Sequence, residues 1–158
     1  MGHRPMGQSD IDIIRYKGQA KVVEKLHAIE KGGLPRSLAL SADELTKVLK
    51  RPNTVLLFAT SGSSSTEVLG YILAFQNKLA LHFSRVVVAE AYRRRGIAKQ
   101  LILEALSSTK KSFATLHVDP QNQPAALLYQ SLGFQLDGVL EDYYRAGKPA
   151  HKLQKHLL

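Results

Sequence analysis

Val86-Val87-Val88-Ala89-Glu90-Ala91-Tyr92-Arg93-Arg94-Arg95-Gly96-Ile97-Ala98 is the stretch on which the reading of this chain turns. An apolar run, Val86 to Ala89, precedes three arginines and a glycine, and a helical pattern from Lys99 to Leu106 follows. Locally this is strand, loop and helix. The arginines fit that order poorly. The first turn of a helix carries unpaired N–H groups and partial positive charge, which favour acidic side chains. A phosphate group resolves the conflict, taking N–H bonds from the loop and charge from the arginines. Gly96 lets the backbone come close, because no Cβ stands in the way. The plain alternative is an exposed basic helix start with no ligand, since charge runs are usually solvated faces.

Working outward, Ile11, Ile13, Ile14 and Tyr16 suggest a first strand, after a loose tail over residues 1–8. Gln19 to Lys31 has helical spacing at Val22, Val23, Leu26 and Ile29, and Gly32-Gly33 should stop it. A connector, Leu34-Pro35-Arg36, leads to the capping box Ser41 to Glu44 and a second helix to about Lys50. Thr54 to Thr60, Val68 to Phe75 and Leu79 to Ala89 read as strands. After the central helix come a strand, Phe113 to Val118, and a short helix, Ala125 to Leu132, capped at Gly133. Phe134 to Tyr144 and His151 to Leu157 close the chain as an antiparallel pair. The fold class is therefore α+β, or mixed α/β. Residues 9–158 make a single domain with a mostly antiparallel sheet of about seven strands and about four helices. Leu79 to Val118 should be a right-handed parallel strand–helix–strand crossover. Such crossovers bind ligands at the carboxyl ends of their strands, where the arginine loop lies.

The chain has 158 residues, 44% apolar and 22% charged, which are the proportions of an ordinary globular protein. Having no cysteine, it can form no disulfide, thiolate metal site or cysteine nucleophile. Its six histidines (3, 27, 82, 117, 151 and 156) show no metal-ligand pairing, so no metal is expected. The net charge of +9 suits an anionic ligand or an acidic partner, but no nucleic-acid motif accompanies it. Neither a membrane-span-length apolar stretch nor a signal-peptide core is present, so the cytoplasm, or the nucleus, is the expected place.

The spacing Arg93-x-x-Gly96-x-Ala98 resembles the pyrophosphate loop of the GNAT superfamily, the acetyl-CoA-dependent N-acetyltransferases. Two further stretches strengthen the resemblance. Asn122-x-x-Ala125-x-x-Leu128-Tyr129, with Ser131-Leu132-Gly133-Phe134, is similar to the family's second motif. Asp142-Tyr143-Tyr144, with Ala150 to Leu153, resembles the branch that acetylates protein N-termini, which includes ribosomal-protein alanine acetyltransferases and the NatE-type catalytic subunit. The likeness covers Leu56 to the end.

The resemblance implies acetyl-CoA as cosubstrate and a primary amine, most simply a protein N-terminus, as acceptor. It gives the backbone of Val86, Val87 and Val88 to the pantetheine arm and acetyl group. The run Arg93, Arg94, Arg95, Gly96, Ile97, Ala98 and Lys99 would line the pyrophosphate. Asn122 and Ala125 fall to the pantetheine region and Tyr129 to the thioester sulfur. His117 falls where this branch carries a general base, and His82 stands where the NatE-type pattern has a catalytic tyrosine. Leu34, Pro35, Tyr143 and Tyr144 would wall the acceptor slot. An auxiliary subunit or the ribosome is an expected partner.

The residues carry that chemistry on their own terms. An α-amino group has a pKa near 8 and needs only modest help from a base, a task that suits His117. A backbone N–H at Val87–Val88 can hold the oxyanion, and Tyr129 can supply or share a proton with the departing thiolate. Without cysteine, direct attack in a ternary complex is the simpler route. Each residue also has a structural role open to it. His117 can be a core histidine on the face of Phe113 and Thr115, Tyr129 a packing residue beside Ala125 and Leu132, and Asn122 a helix cap. His82 can be base or scaffold. Tyr143 and Tyr144 point to opposite faces if extended. Two other functions stay in view: an acetyltransferase for a small amine, polyamine or lysine side chain, and a non-catalytic basic CoA-binding or adaptor module.

Overall fold

The computed structural model describes residues 11–33, 39–62 and 67–157. In chain order the elements are β1 (Asp12–Arg15), α1 (Val22–Gly33), α2 (Ala42–Leu49), β2 (Thr54–Thr60), β3 (Val68–Gln76) and β4 (Ala80–Val88). A 3-10 turn (Glu90–Tyr92) follows, then α3 (Ile97–Ser108), β5 (Phe113–Val118), α4 (Gln123–Ser131), β6 (Gln135–Arg145) and β7 (Lys148–His156). The strands form one seven-stranded sheet in the order β1-β2-β3-β4-β5-β7-β6. Its parallel pair is β4 with β5, from Ala80 opposite Phe113 to Phe83 opposite Leu116, the expected crossover around α3. Among the described residues no helix is long and apolar enough to cross a membrane.

Residue contacts divide the chain into two compact units. The first holds Met1–Ala74 and Arg85–Ser108, the second Phe75–Ser84 and Thr109–Leu158. In the first unit α1 presents Val22, Leu26 and Glu30 to the interior, four residues apart and all buried. The helix begins at Val22 rather than Gln19, because Lys21 takes a left-handed φ of +65° that no helix continues through. It also runs on through Gly32 and Gly33, which were expected to stop it. Each glycine costs about 1 kcal/mol in a helix, a cost that burial of Leu26 and the anchoring of Glu30 outweigh. The α2 capping box is as read: Ser41 Oγ accepts from the Glu44 N–H at 3.1 Å, and Glu44 Oε1 accepts from the Ser41 N–H at 3.3 Å. α3 buries Ile97, Leu101, Ile102 and Ala105. The expected tail and the connector residues Leu34, Pro35 and Arg36 lie outside the described residues.

In the second unit β5 alternates strictly, with Ala114, Leu116 and Val118 buried and Phe113, Thr115 and His117 half-buried. β7 pairs antiparallel with β5 and with β6, and it begins at Lys148, three residues earlier than expected. The chain ends α4 with a Schellman motif. The Gly133 N–H donates to the Gln130 carbonyl at 3.0 Å and the Phe134 N–H to the Tyr129 carbonyl at 3.0 Å. Gly133 has φ +90°, a conformation for which glycine alone carries no Cβ penalty. The motif's apolar contact is Tyr129 against Phe134, with ring centroids 5.7 Å apart.

Candidate active site

In the first unit the arginine loop has the geometry of an anion cradle. The backbone turns left-handed at Arg94 (φ +63°) and again at Gly96 (φ +77°), just before α3 starts at Ile97. The first turn of α3 carries no acidic side chain. A Cβ placed on Gly96 would meet nothing within 4 Å, so the loop is open on that side. Arg93 turns back and its Nε donates to the Val88 carbonyl at 3.3 Å. The Arg95 guanidinium lies 5.5 Å from the centre of the Tyr92 ring. Tyr92 in turn donates to Glu67 at 3.0 Å. Arg94 and Lys99 remain exposed, and Ala98 is half-buried. These residues fit a pyrophosphate: cations gathered before a helix whose first turn carries no acidic side chain. Val87 is buried, and Val86 and Val88 are half-buried beside it.

The second unit brings four of the expected residues into one line of rings. His82 lies against His117 with centroids 4.8 Å apart, His117 against Tyr143 at 5.0 Å, and Tyr143 against Tyr144 at 4.9 Å. The sheet register explains the first contact. His82 on β4 stands opposite Thr115 on β5, and His117 is the next residue on that same face. The His82 Nδ1 bonds the Thr115 hydroxyl at 2.8 Å, and the His117 Nδ1 bonds the Tyr143 hydroxyl at 3.1 Å. The tyrosine contact depends on a break in β6. Asp142 has φ +54°, the register slips between Leu140 and Arg145, and Asp142 Oδ1 accepts from the Gly147 N–H at 2.6 Å. An unbroken strand would send Tyr143 and Tyr144 to opposite faces; the bulge instead lets their rings touch edge to face, at 88°.

Both imidazoles are held neutral. Burial lowers the pKa of His82, and the charges of His117 and Lys152 lower it further. His117 is lowered by burial and then by Lys152. Tyr129 is pushed up to about 12, by burial and then by the charge of Tyr144, so it keeps its proton. Tyr144 is raised by burial, by Tyr143 and by Asp119. Asn122 caps α4 by accepting from the Ala125 N–H at 3.3 Å, leaving its amide N–H groups for other partners.

A model of the acetyltransferase (GNAT) family matches residues 25–134. The chain belongs to that family. An N-alpha-acetyltransferase of Saccharolobus solfataricus is 35% identical over 80 residues, covering 48% of this chain and 48% of that protein. N-alpha-acetyltransferase 50 of Danio rerio is 32% identical over 88 residues, covering 52% of each. The matched stretch thus spans about half the length of these curated relatives. The solved structure of Arabidopsis thaliana NAA60 in complex with acetyl-CoA superposes with a TM-score of 0.76 over 92% of this chain and 98% of that one, at 20% identity. At that identity the likeness is one of fold.

Within this GNAT chain, three features of the site escape a reading by motif. Thr115 and Lys152 act on the histidines only through cross-strand register, which the sequence does not display. The Asp142 bulge has no glycine to mark it. Glu30, by contrast, had a signal: it continues the buried spacing of Val22 and Leu26, where a carboxylate needs a partner. Leu34 and Pro35 lie outside the described residues.

Proposed function

We infer that this GNAT protein transfers the acetyl group of acetyl-CoA to a primary amine, and that the amine is the α-amino group of a protein N-terminus. The observation that carries the reading is the neutral His117, gripped at Nδ1 by Tyr143 and flanked by His82. For His117 to act as base at Nε2, its Nδ1 must carry hydrogen and donate to the Tyr143 oxygen. The free amine attacks the thioester carbonyl carbon, the C–S bond breaks, and the proton lost by nitrogen passes to His117 Nε2. An amine with a pKa near 8 needs only that much help, whereas a lysine near 10.4 needs more.

The arginine loop and the start of α3 hold the pyrophosphate, and the Val86 to Val88 backbone holds the acetyl end. Tyr129, with its pKa near 12, is too weak an acid to protonate a thiolate whose own thiol titrates near 8.5. It shares a hydrogen bond with the leaving sulfur instead. Tyr143 and Tyr144 give the acceptor an aromatic wall. The names of the relatives, N-alpha-acetyltransferases, support the choice of acceptor. Residues 9–158 work as one acetyltransferase domain in this reading.

The test is CoA release from acetyl-CoA against matched acceptors: peptides with free Met-Leu, Ala or Ser starts, their N-terminally blocked lysine-containing versions, and spermidine. Turnover that requires the free N-terminus is the expected result. Turnover on spermidine alone, or on blocked peptides alone, would move the protein to another acceptor class.

A further inference from the structure

Glu30 is fully buried, and its carboxylate gathers donors from three separate parts of the first unit. The Tyr71 hydroxyl on β3 donates to Oε1, as does Arg85 Nη1 on β4 at 2.5 Å. The Leu40 N–H donates to Oε2 at 3.3 Å. One helical turn earlier on the same face of α1, His27 Nδ1 bonds the Leu40 carbonyl at 3.0 Å. Two side chains of α1 therefore hold the backbone of Leu40 from both sides. The same carboxylate grips β4 one residue before Val86. Tyr71 is itself buried, and its pKa is raised by that burial and then by Glu30, so it remains a donor at any ordinary pH.

A buried ion pair is a poor source of net stability, because desolvation offsets most of the attraction. Apolar side chains of similar volume often do as well or better. What such a pair does supply is direction: a carboxylate with fixed donors holds its neighbours at set distances and angles.

We propose that Glu30 is a positioning residue for acetyl transfer, fixing the β4 backbone beside Val86 and the chain at Leu40 to α1. The proposal rests on the reading of Val86 to Val88 as the acetyl-holding strand. Glu30 touches no substrate; it acts through Arg85 and the strand. A small displacement of a reacting group costs up to about 100-fold in rate. Binding of CoA, whose pyrophosphate is read as held by the arginine loop, should change far less than turnover, because the Val86 to Val88 backbone is only one of its contacts.

The experiment compares wild type, Glu30→Gln, and an apolar triple variant, Glu30→Leu/Tyr71→Phe/Arg85→Met, which removes the buried charges together. For each, the unfolding midpoint, the Kd for CoA, and kcat and KM for the acceptor that wild type turns over are measured. The expected result is a triple variant at least as heat-stable as Glu30→Gln, with CoA Kd within about twofold of wild type but acceptor kcat/KM down by about 10- to 100-fold. A purely structural role would return kcat/KM along with the midpoint, and that outcome overturns the proposal, as does wild-type turnover by Glu30→Gln. If wild type acetylates no amine at all, the functional reading fails separately. Amide exchange then decides the positioning role: Glu30→Gln must exchange faster at Val86 to Val88 and at Leu40, and unchanged exchange there overturns it.

Discussion

The two units use polar groups in opposite ways. In the first, Glu30 and Tyr71 are fully buried, Arg85 is half-buried, and both oxygens of the Glu30 carboxylate accept hydrogen bonds. In the second, the line His82–His117–Tyr143–Tyr144 is half-open and its imidazoles are held neutral rather than charged. A fully buried carboxylate, with both oxygens engaged by donors from three parts of the chain, is placed to hold its neighbours rather than to meet a substrate. A half-buried neutral imidazole with one nitrogen tied and the other unassigned is suited to take a proton. The contrast separates residues placed to fix geometry from residues suited to the proposed chemistry, although both sets are polar.

The contrast can be tested by substitution. The largest effect should come from Glu30→Ala, which strands Arg85 without its partner. Removing one member of a buried pair costs about 3–5 kcal/mol. For a chain of this size that is a fall of roughly 6–20 °C in the unfolding midpoint, read by calorimetry. Next is His117→Ala, expected to lower kcat/KM about 100-fold while leaving the midpoint within a few degrees. Tyr143→Phe keeps the ring but deletes the hydroxyl that holds His117. A neutral hydrogen bond is worth about 1 kcal/mol, so kcat should fall about fivefold with CoA binding unchanged. The smallest effect concerns pH and stability. His82 and His117 have pKa values in the folded chain below their ordinary value of 6.5, so the unfolded chain binds protons more readily. Stability from this source is present above about pH 6.5 and is lost as the pH falls through the folded values. A His82→Asn/His117→Asn chain should show a flatter pH dependence of its midpoint in that window.

Local patterns were enough for β2 and β5, whose ends coincide with the apolar runs Thr54 to Thr60 and Phe113 to Val118. Both strands are bounded by polar or turn residues, so hydrophobic periodicity marks them cleanly. The turn of the arginine loop was also legible, because a cation run with a glycine between a strand and a helix marks the place where the backbone goes left-handed before Ile97. The start of α1 was not, since Lys21 adopts a positive φ without being glycine or asparagine. The contact of Tyr143 with Tyr144 was hidden for a similar reason: it depends on a bulge at Asp142, stabilised by a bond to Gly147 across the hairpin. His82 could not be assigned by motif. Its neighbours, Thr115 and His117, come to it from a strand more than thirty residues away, through register alone. What the sequence left open were long-range pairings, and these decide which histidine meets which tyrosine.

The most direct measurement is the pH dependence of kcat/KM for a peptide with a free N-terminus, in wild type and in His117→Ala. Two groups must lose protons in wild type: the amine, near pH 8, and His117, below 6.5. The logarithm of kcat/KM should therefore rise with slope two at the acid end, bend below pH 6.5, and continue with slope one until the amine is free. His117→Ala should be slower above the lower bend and should show slope one only, with that bend gone. A lower bend that survives in His117→Ala would contradict the assignment of His117 as the base.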